Sequence, residues 1–486
     1  MSLSGAIANA ISGLTATSRG TEIVASNIAN AHTDGYGRRE LDLSSRVHGY
    51  GGGVTIDGVY RVINASLLAD GRLAQAGFSA SDTIAEFHTV MEKTVGIPTE
   101  PSSLAGLLAA FDSAIISAAA RPDSDSRLTA VLESASGLAN KLNNVAKDIQ
   151  GARTDAEKAI SNDVLRLNAA LEQVASLNKQ IAGRTAQGKD ASSLIDSRQA
   201  AIDSISGIVP LKQVPRENGQ IALFTTGGAT LLDGSEPARI EFGAAGPIGP
   251  EMSLAAGTLG NLSFNGRELT SFQQAAMFSG GSLGASFSIR DEIAPKYQEQ
   301  MDAFARDLYD RTSDPTIDAT IPSGGAGLFT DDQGQLLAAN EPGFAGRIVV
   351  NRLVDPASGG DLWRIRAGIN AADPGDSGES ALLNGLSEAL SASRSPASGN
   401  LSSSQKTLYS LSSDISSYAA SNRIRTEAIA LQDRSRAESL RTALLGDGVD
   451  SDKEMESLLA LERAYSANAK VFQSANDMLD TVLRLT

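Results

Sequence analysis

Between Ser126 and Gly183 the chain has no proline, and apolar residues return every three or four positions. They run Leu138, Leu142, Val145, Ile149, Ala152, Ala156, Ile160, Val164, Leu167, Leu171, Val174 and Ile181. Such spacing predicts one continuous helix, roughly 80 Å long at 1.5 Å per residue. The steps alternate four and three except around Ile160, where consecutive fours form a stutter. A helix with a single apolar stripe must bury that stripe along its whole length, so the surrounding domain is expected to be rod-shaped. Ile160, Leu167, Leu171 and Val174 are expected inside a multi-helix bundle. Composition agrees, because aromatics are only 5% of 486 residues and Trp occurs once, against 41% hydrophobic residues. That balance suits long helices with thin seams, and the length suggests two to four domains.

Both chain ends carry the same kind of pattern. From Glu454 to Leu485, Leu458, Tyr465, Phe472 and Leu479 form one heptad column, and Leu461, Asn468, Ala475 and Val482 the next. Ala464, Val471, Met478 and Leu485 widen the stripe beyond a two-stranded seam. From Leu3 onward, Ile7, Leu14, Thr21 and Ile28 form one column, and Leu3, Ala10, Thr17 and Val24 the other. Each end is expected to pack on the other. Several seam positions are Ala or Thr and bury little surface, so one such pair is marginal alone in water and calls for packing among many subunits.

The first helix is expected to stop near Asn30, before a turn at Asp34 and Gly35. Asn27 and Asn30 suit backbone bonding at the helix end, and Gly35 suits a positive φ. Gly51 to Val62 fits a short hairpin. Helices follow at Leu67–Val95, ended by Gly96-Ile97-Pro98, and at Leu104–Ala119; Pro122 to Asp125 supplies capping residues for the long helix, and another covers Ala191–Ile205. Strands are expected at Val209–Val214, Ile221–Thr225 and Arg239–Phe242, with a hairpin at Leu262–Leu269 turning on Asn265-Gly266. Helix resumes from Leu283 to Arg311, and the glycine-rich region Asp314–Asp376 holds strand candidates at Arg347–Val350 and Leu362–Ile365. Leu382–Leu445 is helical with a break around Ser393–Ser402, and Gly446-Asp447-Gly448 turns into the terminal heptads.

These readings give a mainly α fold with inserted β. The chain folds back, with terminal heptad helices as a coiled coil, a long helical-bundle rod, and a small β domain at the far end. The expected segments are 1–80, 81–207, 208–282, 283–312, 313–377, 378–445 and 446–486: terminal helix with loop and hairpin, rod, inserted β domain, rod helix, strand and loop region, rod, and terminal helix. The β segment is expected to be dispensable for the helical fold.

Chemistry is hard to find. A net charge of −16 argues against a nucleic-acid surface and an anionic membrane. There is no cysteine, and the three histidines, His32, His48 and His88, lie far apart with no metal-ligand spacing; each is expected as a loop or helix-surface imidazole. No stretch approaches a membrane span, and the N-terminus lacks the basic and compact apolar regions of a cleaved secretory signal. The glycine clusters at Gly51, Gly227, Gly280 and Gly324 form neither phosphate-loop nor dinucleotide motifs and are turn glycines. Asp331 with Asp332, and Asp355 with Asp361 near Trp363, are what an acid-rich sequence contains by chance, and Trp363 is a local core anchor. No catalytic, cofactor-binding or metal residue emerges, and the chain reads as no enzyme.

Ser26-Asn27-Ile28-Ala29-Asn30, followed by Gly35-Tyr36 and an arginine, resembles the N-terminal signature of flagellar axial proteins, the rod, hook and hook-associated proteins. Gly448-Val449-Asp450, Glu454-Met455 and Tyr465-Ser466-Ala467-Asn468-Ala469 resemble the C-terminal one. Pro122 to Leu142, Leu194-Ile195-Asp196-Ser197-Arg198, and Gly280 to Gly284 with Ile289-Arg290 resemble internal stretches of the hook-associated members at the hook–filament junction, rather than hook protein or hook-associated protein 3. Gly37 departs, standing where relatives often carry a small hydroxyl residue. The resemblance implies a structural adaptor that polymerises through its ends, exported to the flagellum without a cleaved signal. Its N-terminal interface would use Leu3, Ile7, Leu14, Val24, Asn27, Ile28, Asn30, Gly35 and Tyr36. The C-terminal one would use Leu458, Leu461, Tyr465, Asn468, Val471, Phe472, Ala475, Met478, Leu479 and Val482. Implied partners are copies of itself in a helical or ring array, hook protein, hook-associated protein 3, and an export chaperone on the C-terminal helix, with no cofactor, no nucleic acid and no membrane insertion. The competing reading is a secreted, rod-shaped adhesin or hydrolase-like surface protein whose β domain binds a ligand.

Overall fold

The computed structural model describes residues 3–31, 33, 35–46, 52–399 and 405–485. His32, Asp34, His48, Gly51 and part of the break before residue 405 lie outside the described residues, as does the side chain of Leu485. The chain opens with α1 (Leu3–Ala29), strands β1 (Arg38–Ser45) and β2 (Val54–Val62), and α2 (Ala65–Val95). Gly96, at φ 90°, ends α2, and Ser103 accepts a hydrogen bond from Gly106 N to start α3 (Leu104–Ala120). Then comes α4 (Asp125–Ala186), 62 residues and about 93 Å long. Its capping residue Ser124 makes no side-chain cap bond, contrary to expectation; Asp125 in the first turn favours the helix electrostatically instead.

The stripe of α4 is buried from end to end, but by different partners. Its first half, Leu128 to Ala156, shares a core with Phe111 of α3, with Tyr297, Met301 and Phe304 of α8 (Ala294–Thr312), with Leu383 and Leu390 of α10 (Ala381–Ser391), and with Leu411 and Ile415 of α11 (Leu408–Gly446). From Ile160 onward a second core begins. It joins α4 to Ile202 of α5 (Ser192–Asp203), to Leu223, Leu232, Ile240 and Leu262 from the β segment, and to Leu283 of α7 (Gly281–Ser288). The stutter at Ile160 therefore falls where one set of partners replaces the other. Ile160, Leu167, Leu171 and Val174 are fully buried, as expected, but under strands and short helices rather than in a multi-helix bundle.

Between the two cores lies a polar plug. Arg290 and Glu157, both buried, pair at 2.7 Å, and Arg290 also grips Asp291 and the Gly260 carbonyl. Its guanidinium lies near the rings of Phe242 and Phe287, 5.7 and 4.9 Å from their centres. Glu157 uses its other oxygen to accept Ala245 N, so every charge in the plug has a partner. One turn of π-helix, Ile289–Ile293, carries Arg290 between α7 and α8.

The β segment forms two antiparallel sheets. One has the order β3 (Leu211–Pro215), β4 (Ile221–Thr225), β5 (Thr230–Asp233), β6 (Glu236–Pro237); the other is β7 (Ile240–Phe242), β8 (Leu262–Phe264), β9 (Arg267–Glu268). Asn265 and Gly266, at φ 52° and 76°, make the expected two-residue turn. Polar side chains of α4 fasten both sheets: Asn178 donates to Ile221 O and Gly234 O, and Asn168 both donates to and accepts from the backbone of Ile240. A short helix α6 (Ser271–Phe278), started by a reciprocal cap between Thr270 and Gln273, links the second sheet to α7. A further pair, β10 (Phe329–Asp331) and β11 (Ile348–Val350), flanks the first core.

Several expectations are corrected here. The β segment does not stand at the far end of the rod with a core of its own. It lies along the half of α4 nearest the chain ends, where Arg72 of α2 bonds Asp203 and Gln213 and Gly207 closes on Ser79. Removing it would uncover the second half of the α4 stripe, so its deletion should destabilise the helical fold. Residues 52–62 hold one strand, not a hairpin; the partner of β2 is β1, an antiparallel strand with a bulge near Asp42. Leu362–Ile365 is no strand: a short helical turn, α9 (Arg364–Ala367), follows Trp363, whose half-buried ring lies under the Arg364 guanidinium. His88 is not at the surface but buried in the first core, with Nδ1 2.9 Å from Tyr297 Oη. The last helix, α12 (Ser451–Leu485), follows the turn after α11, which itself runs antiparallel to α2 with Arg434 paired to Asp82 and Leu444 over Gly71.

Two measurements check this packing. Leu171→Ala, at a site with no exposed surface, should lose about 2–5 kcal/mol in denaturant melts, and a melt matching the parent would refute the shared core. Burial, with Arg425 nearby, lowers the His88 pKa from 6.5 to about 4. The unfolded chain therefore takes up a proton on this residue below pH 6.5 while the folded one does not, and stability falls with pH through that window by at most about 1.4 kcal/mol per unit. His88→Gln should flatten the stability profile between pH 7 and pH 5 relative to the parent, and parallel profiles would show that His88 is charged in the fold.

Candidate assembly interface

The helices α1 and α12 pack side by side and antiparallel. Asn27 faces Glu454, Gly20 faces Leu461, and Gly13 faces Asn468, so a step of seven down one helix is a step of seven up the other. The seam of α1 is Ala10, Gly13, Thr17, Gly20, Val24 and Asn27, all buried. Of the two columns read from the sequence, Ala10, Thr17 and Val24 lie in it. The other, Ile7, Leu14, Thr21 and Ile28, does not: Thr21 is exposed and the rest half-buried. Glycines take its place. A Cβ on Gly13 would stand 2.8 Å from the Asn468 Cγ and one on Gly20 3.0 Å from a Leu461 methyl, so hydrogen at these positions sets how closely the helices approach. The sevenfold recurrence of Gly13, Gly20 and Asn27 was the available signal.

At the end of this seam Asn27 is fully buried, and its amide is fully used. Nδ2 donates to Arg39 O at 2.9 Å and to Glu454 Oε2 at 3.1 Å, while Oδ1 accepts from Arg39 N at 3.0 Å and Tyr36 Oη at 2.8 Å. One side chain thus joins α1, β1 and α12. Glu454, also buried, takes Arg38 Nε at 2.6 Å; burial alone would depress the Arg38 guanidinium, but its bonds to Glu454 and Glu40 raise it above its ordinary value. Asn30 donates back to Ser26 O, and Gly35 sits at φ 80°, as its position in the turn requires. The hairpin folds back along α1, where Val54 N donates to Ser12 Oγ. Arg38 and Glu454 were missed as a pair because their partnership spans nearly the whole chain.

The remaining candidate residues divide sharply. Leu3, Asn30, Gly35 and Tyr36 are half-buried, and so are Leu458, Leu461 and Asn468, while Ala475 is buried. Tyr465, Val471, Phe472, Met478, Leu479 and Val482 stay exposed, from 37% at Phe472 to 60% at Met478. Met455, Leu459 and Leu483 join them. One seam of α12 is covered by α1 and most of the rest of its apolar face is exposed. Elsewhere the carboxylates weighed as a site have structural partners: Asp331 pairs with Arg347, and Asp355 caps the turn at Ala357. Among the described residues no group of three or more potential ligands is placed to hold a metal, and no helix is long and apolar enough to cross a membrane. Asn27→Ala would strand the Arg39 backbone, Tyr36 Oη and one Glu454 oxygen, at a typical cost of about 1–3 kcal/mol for each buried group left unpaired. Amide exchange across α1 should accelerate while that of α4 holds, and unchanged exchange in α1 would remove Asn27 from this role.

Three family descriptions match the chain: "Flagellar hook-associated protein FlgK helical domain" over residues 90–314, "Flagella basal body rod protein" over 7–36, and "Flagellar basal body rod FlgEFG protein C-terminal" over 441–485. The last two coincide with α1 and its signature loop and with α12. Flagellar hook-associated protein 1 of Escherichia coli (strain K12) is 24% identical, with 99% of this chain and 100% of that protein aligned. Its counterpart in Bacillus subtilis (strain 168) is 26% identical over 45% of this chain and 46% of its own length. A solved structure, the flagellar hook junction protein FlgK from Burkholderia pseudomallei, aligns with a TM-score of 0.45 at 20% identity, over 54% of this chain and 46% of that one. With the axial signatures at both paired ends and the hook-associated helical domain between them, the chain is similar to flagellar hook-associated protein 1 over nearly its whole length.

Proposed function

We propose that this protein is a structural adaptor that polymerises in a helical or ring array between flagellar hook and filament, joining copies through α1 and α12. The observation that carries the reading is the bare face of α12. Tyr465, Phe472 and Leu479 repeat at seven-residue spacing beside Val471 and Met478, all exposed, and a single chain offers them no cover. Neighbouring terminal helices are the fitting cover, because the same heptad period runs through α1 and α12. Contacts of this kind are heterologous, and repeating them closes a ring or extends a helix. The residues proposed for the interface are those of the two seams, with Leu458, Leu461, Asn468 and Ala475 facing α1 and Tyr465, Val471, Phe472, Met478 and Leu479 turned to neighbours.

In this reading the adaptor performs no catalysis. Its proposed partners are other copies of the chain, hook protein, hook-associated protein 3, and an export chaperone that shields α12 before assembly. The protein would leave the cell with its N-terminal helix intact, since α1 is half of the terminal pair. The rod segments bounded at 81, 208, 283, 313, 378 and 446 would form the shell outside that pair. Among the described residues, no feature supports the competing reading of a ligand-binding adhesin.

Phe472→Asp tests the proposal. Phe472 is exposed in the single chain, so the purified variant should melt with its parent. In a packed array the carboxylate would be buried without a partner, costing several kcal/mol at every copy. Cells carrying it should release filament protein and swim poorly. Normal motility would count against the terminal-seam mechanism, and a lowered melting temperature would show that the ring already packs within one chain.

A further inference from the structure

The terminal module, made of α1, the β1–β2 hairpin and α12, meets the rod at α5. There one carboxylate gathers three groups from the module. Asp196 Oδ1 accepts from Gly37 N at 3.1 Å and pairs with Arg61 Nε at 2.7 Å, and Oδ2 takes Arg39 Nη2 at 2.7 Å. Little solvent reaches the contact, since the side chains of Asp196, Arg61 and Arg39 are 15%, 9% and 18% exposed. The glycines of the signature loop make it possible. A Cβ on Gly37 would lie 2.1 Å from Arg61 Nε, and one on Gly35 would press on Ala200 of α5 at 3.4 Å. The glycine at position 37 is thus the space through which Arg61 reaches Asp196.

The charge balance makes this carboxylate decisive. On the rod side Arg72 and Arg198 are buried close by, and Arg72 already occupies Asp203 at 2.7 Å. Burial pushes the Arg198 guanidinium down to about 10, with Arg61 and Arg72 adding to the effect, so the guanidinium groups of module and rod sense one another. Three arginines, Arg39, Arg61 and Arg72, therefore pair with two aspartates at the contact, and Arg198 adds a fourth positive charge close by. Without Asp196, the module's Arg39 and Arg61 would lose their paired carboxylate, and Asp203, which still acts on Arg61, is already occupied by Arg72.

We propose that Asp196 is a positioning residue that sets the orientation of the terminal module on the rod, its carboxylate holding Gly37, Arg39 and Arg61 of the module against α5. Loss of that carboxylate frees the module to swing on its two short covalent links, Ile63-Asn64 and Asp447 to Asp450, while each part stays folded. The consequence for function rests on the assembly reading: copies whose modules point in different directions cannot repeat one contact around a ring. The orientation itself does not depend on that reading.

The test uses the full chain, which has no cysteine of its own. Nitroxide labels on Glu172→Cys of α4 and Glu462→Cys of α12, both exposed sites, report the distance between rod and module in the monomer by double electron–electron resonance. The parent should give one narrow distribution. Asp196→Asn should broaden it several-fold with the thermal melt of the rod unchanged, and Asp196→Glu should restore a single narrow distribution. Gly37→Ala, which displaces Arg61 without touching the rod, should broaden it as well. A distribution as narrow in Asp196→Asn as in the parent overturns the proposal. Should Asp196→Asn destabilise the rod, Gly37→Ala decides alone, and an unbroadened distribution there overturns it too. Because these readings come from the monomer, they stand or fall separately from the Phe472→Asp outcome.

Discussion

The structure depends on covering one apolar stripe along a helix about 93 Å long. No compact core can do that, so the chain supplies partners in sequence: helices over the first half and a β segment with short helices over the second. The change of partner is built into α4 itself. Consecutive fours around Ile160 rotate the stripe relative to a steady heptad, and the new face receives strands instead of helices. Placing the Arg290–Glu157 pair at this transition fills the gap between two differently shaped cores with groups that must be matched one by one. Such a plug fixes registry where apolar packing alone would tolerate sliding.

The terminal pair answers a different constraint. Glycine, alanine and threonine in the α1 seam bring α12 close but bury little area, and the stability gained per turn is small. Closeness is purchased with hydrogen in place of side chains, so the larger apolar groups of α12 are left on its other faces. The polar residues at its base compensate, because Asn27, Glu454 and Arg38 specify which residues meet while contributing little surface. In this the pair resembles the plug on α4: the apolar groups supply adhesion and the polar groups supply position.

What the sequence made legible follows the same division. Helices with sustained periodicity were readable to within a few residues, α4, α2 and α12 among them, and so was the turn at Asn265-Gly266, where local chemistry decides the outcome. Strand β1 was not, since Arg38, Arg39, Glu40 and Asp42 have poor strand propensity and pair only because Asn27 and Asp196 hold that backbone and its side chains in place. Leu362–Ile365 failed in the other direction, its β-branched and aromatic content overruled by the glycine-rich loop around it. His88 looked like a surface residue because its burial depends on Tyr297, more than two hundred positions away. The α1 seam was half legible. Hydrophobic counting favours Leu14 and Ile28 over glycine, yet where two helices approach closely the smallest residue wins the seam.

Both motifs that tied the chain to its relatives acquire a physical meaning from these contacts. Asn27, Gly35 and Tyr36 are engaged within one chain, whereas Phe472 is exposed; they form the base from which the terminal helices project. Asp196 and Arg198, neighbours in one short internal stretch, divide the junction between them. Asp196 faces the module, while Arg198 turns inward to Asn178 and the Gly219 carbonyl, bracing α5 against α4 and the first sheet. A load arriving through the terminal helices therefore passes from Asn27 and Glu454 to the hairpin, from the hairpin to Asp196, and from α5 through Arg198 to the rod. Every step in that path is a directional polar contact between buried or nearly buried groups. An apolar joint of the same size would transmit force but not angle, and the polar contacts at Asp196 and Arg198 transmit both.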